Sequence, residues 1–254
     1  MSVTIKSARE IELMREAGRI LSITHEELAK ALKPGMTTWD IDHLGEEIIR
    51  SYGCTPSFLN YNGYPASICV SVNDEVVHGI PSKKRILMEG DIVSLDAGVI
   101  YNGYHSDAAR TYGIGEITPS AGQLIEVTRQ CFFEGIKFAK SGNHLGDISA
   151  AIQKYAEEFG YGVVRDLVGH GIGSHLHEEP EVPNFAQKRR GIKLRPGMTL
   201  AIEPMINEGT PDVVWLDDDW TVVTEDEKLS AHYENTILIT EGEPEILSLV
   251  SREI

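Results

Sequence analysis

The sequence predicts an α/β (α+β) fold built from two copies of one unit, and three observations carry that prediction. A pair of amphipathic helices joined by a turn occurs twice along the chain. A mostly apolar strand runs into an Asn-Gly dipeptide, the strongest short signal for a β-hairpin. Gly35 and Gly142, Asp40 and Asp147, Ile41 and Ile148, and Gly53 and Gly160 are each 107 residues apart, and the same offset carries Leu87 to Leu194, Gly90 to Gly197 and Asp96 to Glu203. A constant offset across helix caps and the strands beyond them is explained by internal duplication. It also lays one acidic residue over another, which points to paired carboxylates near a pseudo-twofold axis.

Ile11, Met14, Leu21, Leu28 and Leu32 recur at helical spacings, giving one amphipathic helix that should stop before Pro34-Gly35. A second helix should start at Thr37 or Thr38, bury Ile41, Leu44 and Ile48, and end at Gly53 in a left-handed cap. Two further helices are expected over about 120–140 and over 145–159, the latter ended by Gly160. Residues 91–100, DIVSLDAGVI, read as a buried strand, and Tyr101-Asn102-Gly103-Tyr104 as its hairpin turn.

The chain has 254 residues with 23 Lys and Arg against 39 Asp and Glu, a formal charge of −16, which excludes nucleic-acid binding by bulk electrostatics. With 41% hydrophobic residues the chain can bury a sizeable core. No Ser/Gly/Pro linker separates the halves, so residues 1–254 are expected to form one domain of two pseudo-symmetric halves, about 7–112 and 120–240. No apolar run approaches the roughly 18 residues of a membrane helix, and no leader peptide is expected at the N-terminus. Cys54, Cys69 and Cys131 are odd in number and form no close pair, which argues against a disulfide framework and for a cytoplasmic protein.

If Tyr101 pairs with Tyr104, Asp107 lies opposite Gly98, and Asp96, two residues from Gly98, points to the same face. Asp96 and Asp107 are then diagonal neighbours within reach of a shared ion, with Gly98 leaving the space open. Two carboxylates on an apolar hairpin raise each other's pKa unless a cation compensates them; solvated turn acids are the alternative at this stage. Glu203 and Glu234 interrupt apolar, strand-like runs, and a buried Glu must be paired, neutral or metal-bound. His170 stands between glycines. Taken together, two Asp, two Glu and one His suit a pair of divalent ions of the manganese, iron or cobalt kind better than a thiolate zinc site.

At these residues the sequence resembles the type I methionine aminopeptidases. The motifs are VNDEVVHGIP (72–81), GDIVSLDAG followed by NGYHSDAARTY, GHGIGSHLHEEP (169–180), LRPGMTLAIEPM (194–205) and SAHYENTILIT. The resemblance implies the duplicated pita-bread fold, an antiparallel sheet covered by helices. It implies a metallo-aminopeptidase that removes the initiator methionine from nascent chains when the second residue is small. It also implies two divalent ions (Co, Mn, Fe, Zn or Ni) held by Asp96, Asp107, His170, Glu203 and Glu234, with Asp107 and Glu234 bridging. Glu203 would relay the proton, and His78 and His177 would bind the peptide group and the developing oxyanion. Phe58, Tyr61, Tyr64, Cys69, Leu176 and Trp220 would build the methionine pocket. Position 176 is often Phe in that family, and a smaller residue can stand at position 58.

The same resemblance implies a monomer working near the ribosome. The basic clusters Lys83-Lys84-Arg85 and Lys188-Arg189-Arg190 support docking poorly and read as solvated loops. Two competing readings are a proline-directed aminopeptidase of the same fold, for which the N-terminal half is too short to hold an extra domain, and a peptide-binding relative that has lost catalysis.

Overall fold

The computed structural model describes residues 3–249. Its helices are α1 (Ala8–Ala31), α2 (Thr38–Ser51), α3 (Pro119–Ile136) and α4 (Leu145–Glu158). A capping box starts α1: the Glu10 N–H donates to Ser7 Oγ, and the Ser7 N–H donates to the Glu10 carboxylate at 2.7 Å. The expected stripe of Met14, Leu21 and Leu28 is buried.

α2 spans the expected residues, but its buried stripe is Ile41, Gly45 and Ile49, with Leu44 and Ile48 only half-buried. The helix turns this way for two reasons. Gly45 admits Ile68, whose Cγ1 would lie 2.7 Å from a Cβ at position 45, and the buried Asp42 accepts the N–H groups of Ser67 and Ile68, both at 2.8 Å. α3 ends at Ile136, short of the expected 140, where the Phe138 N–H turns back to the Gly135 carbonyl.

The 107-residue repeat is a repeat of backbone geometry. Gly35 and Gly142 both have φ of +90°; the Gly35 N–H donates to the Leu87 carbonyl at 2.8 Å and the Gly142 N–H to the Leu194 carbonyl at 3.0 Å. Thr37 bridges Ile86 just as His144 bridges Lys193. Asp40 and Asp147 then bond back to the N-cap backbones of α2 and α4. The positive φ is the reason for glycine at both turns.

In the first half, the strands Ile92–Tyr101 and Tyr104–Gly113 form a long antiparallel hairpin in the expected register, Tyr101 opposite Tyr104 and Gly98 opposite Asp107. Its turn residues, Asn102 (φ 47°) and Gly103 (φ 84°), both take the positive φ that a tight hairpin of the right twist demands. Ile68–Val72 and Thr55–Pro56 pair along the other edge of Ile92–Tyr101. The second half carries a five-stranded sheet in the order Glu245–Ile246, Asn235–Leu238, Thr199–Ile202, Gly169–Gly171, Glu178–Val182.

Each half has its own core. Leu21, Ile41, Val70 and Leu95 belong to one; Phe132, Ile148, Leu200 and Ile237 belong to the other. The halves are stitched where Tyr104–Gly113 meets the 234–236 segment. There the Glu234 N–H donates to the Ala109 carbonyl (2.9 Å) and the Asp107 N–H to Thr236 Oγ1 (2.8 Å). A third apolar cluster, including Met14, Phe58, Tyr64, Ile172, Leu176 and Leu238, draws on both halves. Among the described residues no helix is long and apolar enough to cross a membrane, and the three cysteines are free and buried. Both basic clusters are exposed, Arg190 pairing with Asp147 at 2.6 Å and the Lys83 ammonium lying 4.2 Å from the Trp39 ring centre.

Candidate active site

The seam between the halves encloses a cavity of about 330 Å³. Asp96 and Asp107 come from the long hairpin. His170 comes from Gly169–Gly171, Glu203 from the residue after Thr199–Ile202, and Glu234 from the residue before Asn235–Leu238. The pairings His170 with Ala201 and Asn235 with Ile202 bring the last three side by side.

One ligand-type atom from each of Asp107, His170 and Glu234 falls within 4.8 Å of the others. His170 Nε2 lies 3.9 Å from Asp107 Oδ2 and 3.7 Å from Glu203 Oε1. His170 Nδ1 is 2.8 Å from the Gly171 carbonyl, which can only accept; the proton therefore sits on Nδ1 and Nε2 presents a lone pair to the acids.

The electrostatics are those of a site built for positive charge. Burial pushes the Asp96 carboxyl up to about 7, against the pull of its hydrogen bond with Asp107. Burial, then the neighbouring Glu234 and Asp96, push Asp107 well above the carboxylate range; burial with Asp96 and Asp107 does the same to Glu203. Glu234 is raised by burial, Glu203 and Asp96, with Arg110 opposing. Burial, then His177, lowers His170 to about 3. Buried oxygens on Asp96 (Oδ1), Asp107 (Oδ1) and Glu234 (Oε1) have no hydrogen-bond partner. Clustered, unsatisfied acids of this kind are costly unless a cation is shared among them, and the donor set fits divalent ions that accept oxygen and imidazole.

Every residue assigned to the site from the sequence lines this one cavity: the four acids and His170 with His78, His177, Phe58, Tyr61, Tyr64, Cys69, Leu176 and Trp220. His177 stands at the exposed mouth, its ring centre 4.3 Å from that of His170 and its Nδ1 2.7 Å from Tyr61 Oη. His78 has φ of +60°, a strained backbone for a histidine, and its ring meets Trp220 edge-on. Burial, then His177, lowers it to about 4. Tyr64 and Trp220 also meet edge-on, 5.1 Å apart.

Two findings differ from the sequence reading or add to it. Gly98 does not leave an open space beside the acids: a Cβ there would lie 2.6 Å from Ser57 Cβ and 3.0 Å from Phe58 Cε1. The missing side chain instead admits the Ser57-Phe58 segment and brings the Phe58 ring to the carboxylate face. His232, not singled out from the sequence, is buried with Nε2 3.9 Å from Glu203 Oε2 and no hydrogen-bond partner on either ring nitrogen. Its place two residues before Glu234 in a strand-like run, on the same face, was the available signal. Val77, Leu167 and Met205 also line the wall.

The pattern of metallopeptidase family M24 matches residues 12–241. A methionine aminopeptidase of Clostridium acetobutylicum is 58% identical over 247 residues, 97% of this chain and 99% of that one. The chain belongs to metallopeptidase family M24, among its methionine aminopeptidases. The crystal structure of a methionine aminopeptidase from Thermotoga maritima superposes with a TM-score of 0.95 at 47% identity, covering 97% of this chain and 99% of that one. An Xaa-Pro dipeptidase from Bacillus anthracis shares the fold at a TM-score of 0.78 and 26% identity; it matches 96% of this chain but only 61% of the longer dipeptidase. M24 members are metallopeptidases, and the antiparallel sheets under four helices are their pita-bread fold.

Proposed function

We propose that the chain removes methionine from the N-terminus of nascent polypeptides when the second residue is small, using two divalent ions of the Co, Mn, Fe, Zn or Ni group. The observation that carries the reading is one cavity lined both by an acid-imidazole cluster and by aromatic and sulfur-containing side chains. Asp96, Asp107, His170, Glu203 and Glu234 are the residues that would hold the ions. When bound, such ions lower the pKa of water and polarise a carbonyl.

The residues of the chain do the rest. Phe58, Tyr64, Cys69, Leu176 and Trp220 take the thioether side chain, which packs well against ring edges. The acids fix the free α-amino group, so that the first peptide bond is the one presented. With Tyr61 donating to Nδ1, His177 carries its proton on Nε2 and donates it as a hydrogen bond to the developing oxyanion, while His78 binds the peptide group from the other side. Glu203 accepts the proton of the attacking water and passes it to the leaving amine. The two histidines crowd the position after methionine, which restricts it to Gly, Ala, Ser, Cys, Thr, Pro or Val.

Residues 1–254 act as one catalytic domain of two halves, and the enzyme works as a cytoplasmic monomer on chains leaving the ribosome. The test is hydrolysis by metal-loaded protein of Met-Ala-Ser, Met-Lys and Ala-Pro peptides, with bound metal measured alongside. Rapid release of methionine from Met-Ala-Ser alone is expected. Preference for Ala-Pro would favour the proline-directed reading, and a chain that binds peptide without metal or turnover the non-catalytic one.

A further inference from the structure

We propose that Lys6, on the N-terminal arm, is a positioning residue for His177, acting through a buried ion pair with Glu178; the proposal rests on the reading of His177 as the oxyanion donor. Lys6 Nζ lies 2.6 Å from Glu178 Oε2, with only 4% and 9% of the two side chains exposed. Thr4 Oγ1 donates to the same oxygen at 2.6 Å. The other carboxylate oxygen, Oε1, accepts the His175 N–H at 3.2 Å. One carboxylate therefore ties the arm to the backbone of the turn that carries Leu176 and His177.

The slot for the arm is cut into the fold. At Gly173 a Cβ would come 2.3 Å from Lys6 Cε, so that glycine is what lets the lysine stem pass. Gly173 is itself fixed: its carbonyl accepts the His105 N–H at 2.8 Å and its N–H donates to the His175 carbonyl at 3.0 Å. The arm is held from below by the Lys6 N–H on the Gly197 carbonyl, 2.8 Å away. Leu176 and His177 thus lie between a fixed Gly173 and a fixed Glu178. A buried ion pair is a poor source of stability compared with apolar packing, but it sets direction. Here the direction it sets is that of the carboxylate and, through the His175 amide, of the turn.

The test is a cycle on the full, metal-loaded chain with a Met-Ala-Ser peptide: wild type, Lys6→Met, His177→Ala and the two combined. Lys6→Met is expected to lower kcat by about tenfold with KM within about twofold, because the interaction it disturbs is made in the transition state. Bound metal per chain should not change. In the His177→Ala background Lys6→Met should cost no further activity, and Lys6→Arg should retain most of the wild-type rate. A merely structural lysine would lower activity by the same factor in both backgrounds, and that result, or an unchanged kcat in Lys6→Met, overturns the proposal. Normal kcat in His177→Ala alone would instead overturn the reading of His177. If Lys6→Met does not fold, Glu178→Gln and Thr4→Val carry the same comparison, since each weakens the tie from another side.

Discussion

Gly98→Ala places one methyl group where the cavity wall and the carboxylate face meet. The new Cβ would stand 2.6 Å from Ser57 Cβ and 2.8 Å from Ser57 Oγ. Carbon atoms pack at about 3.5–4.0 Å, so Ser57 has to retreat by about 1 Å. It is poorly placed to do so. Its N–H donates to the Gly98 carbonyl at 2.9 Å, its Oγ lies 3.0 Å from His105 Nδ1, and the preceding Thr55-Pro56 is paired to Val99 and Ile100. Overpacking of this kind costs about 1–3 kcal/mol, and with the segment pinned on three sides the upper half of that range applies. At about 2–4 °C per kcal/mol for a chain of this length, Tm should fall by about 4–12 °C. Phe58 moves with Ser57, so KM for Met-Ala-Ser should rise several-fold while bound metal is unchanged. Calorimetry and steady-state kinetics of the loaded protein measure both. A Tm within about 1 °C of wild type with an unchanged KM would refute the close packing at Gly98 and its coupling to the pocket.

Asp107→Asn replaces a carboxylate at the centre of the cluster by a neutral amide; activity should vanish and bound metal fall, with far-UV circular dichroism unchanged, and normal turnover at two ions per chain would remove Asp107 from its role. Leu176→Phe restores a ring edge beside the thioether, a contact of about 0.3–1.5 kcal/mol, and should raise the preference for Met over norleucine by a few-fold in competition assays. An unchanged or worse preference would mean that residue 176 does not contact the methionine side chain. His25 is fully buried with Nε2 2.9 Å from the Ala108 carbonyl, and burial followed by the Arg110 charge lowers it from 6.5 to about 3. The folded chain thus refuses a proton that the unfolded chain takes, so stability is present in full above the unfolded value and is lost as pH falls toward the folded one, at about 1.4 kcal/mol per pH unit. Urea titrations between about pH 7 and 5 should show a shallower acid limb in His25→Gln by about one proton; parallel limbs would show that His25 protonates in the folded state.

Where a signal was local, the sequence alone was enough to place it. Asn102-Gly103 set the hairpin register residue by residue and put Asp96 and Asp107 diagonally across one face. The 107-residue offset reappears as two turns with the same φ and the same bridge. The convergence of His170, Glu203 and Glu234 depends on long-range strand pairings that no local pattern encodes; those residues were grouped by their chemistry and by family resemblance. The same limit explains Gly98, read as open space because Ser57 and Phe58 arrive from about forty residues upstream, and His232, whose neighbour Glu203 follows a strand distant in sequence. The misplaced stripe on α2 has a simpler cause: Gly45 carries no hydrophobic signal, although its missing side chain is what admits Ile68.

The seam also bears on how the protein fails. Asp96 and Asp107 belong to one half and His170, Glu203 and Glu234 to the other, so neither half alone owns the whole set of proposed donors. On the proposed assignment, a cation held by both sets would favour their closure by RT ln(1 + [L]/Kd). On that assignment, loss of metal would weaken the seam where the acids of the two halves meet. The supply of its ions would then bear on the lifetime of the protein as well as on its rate.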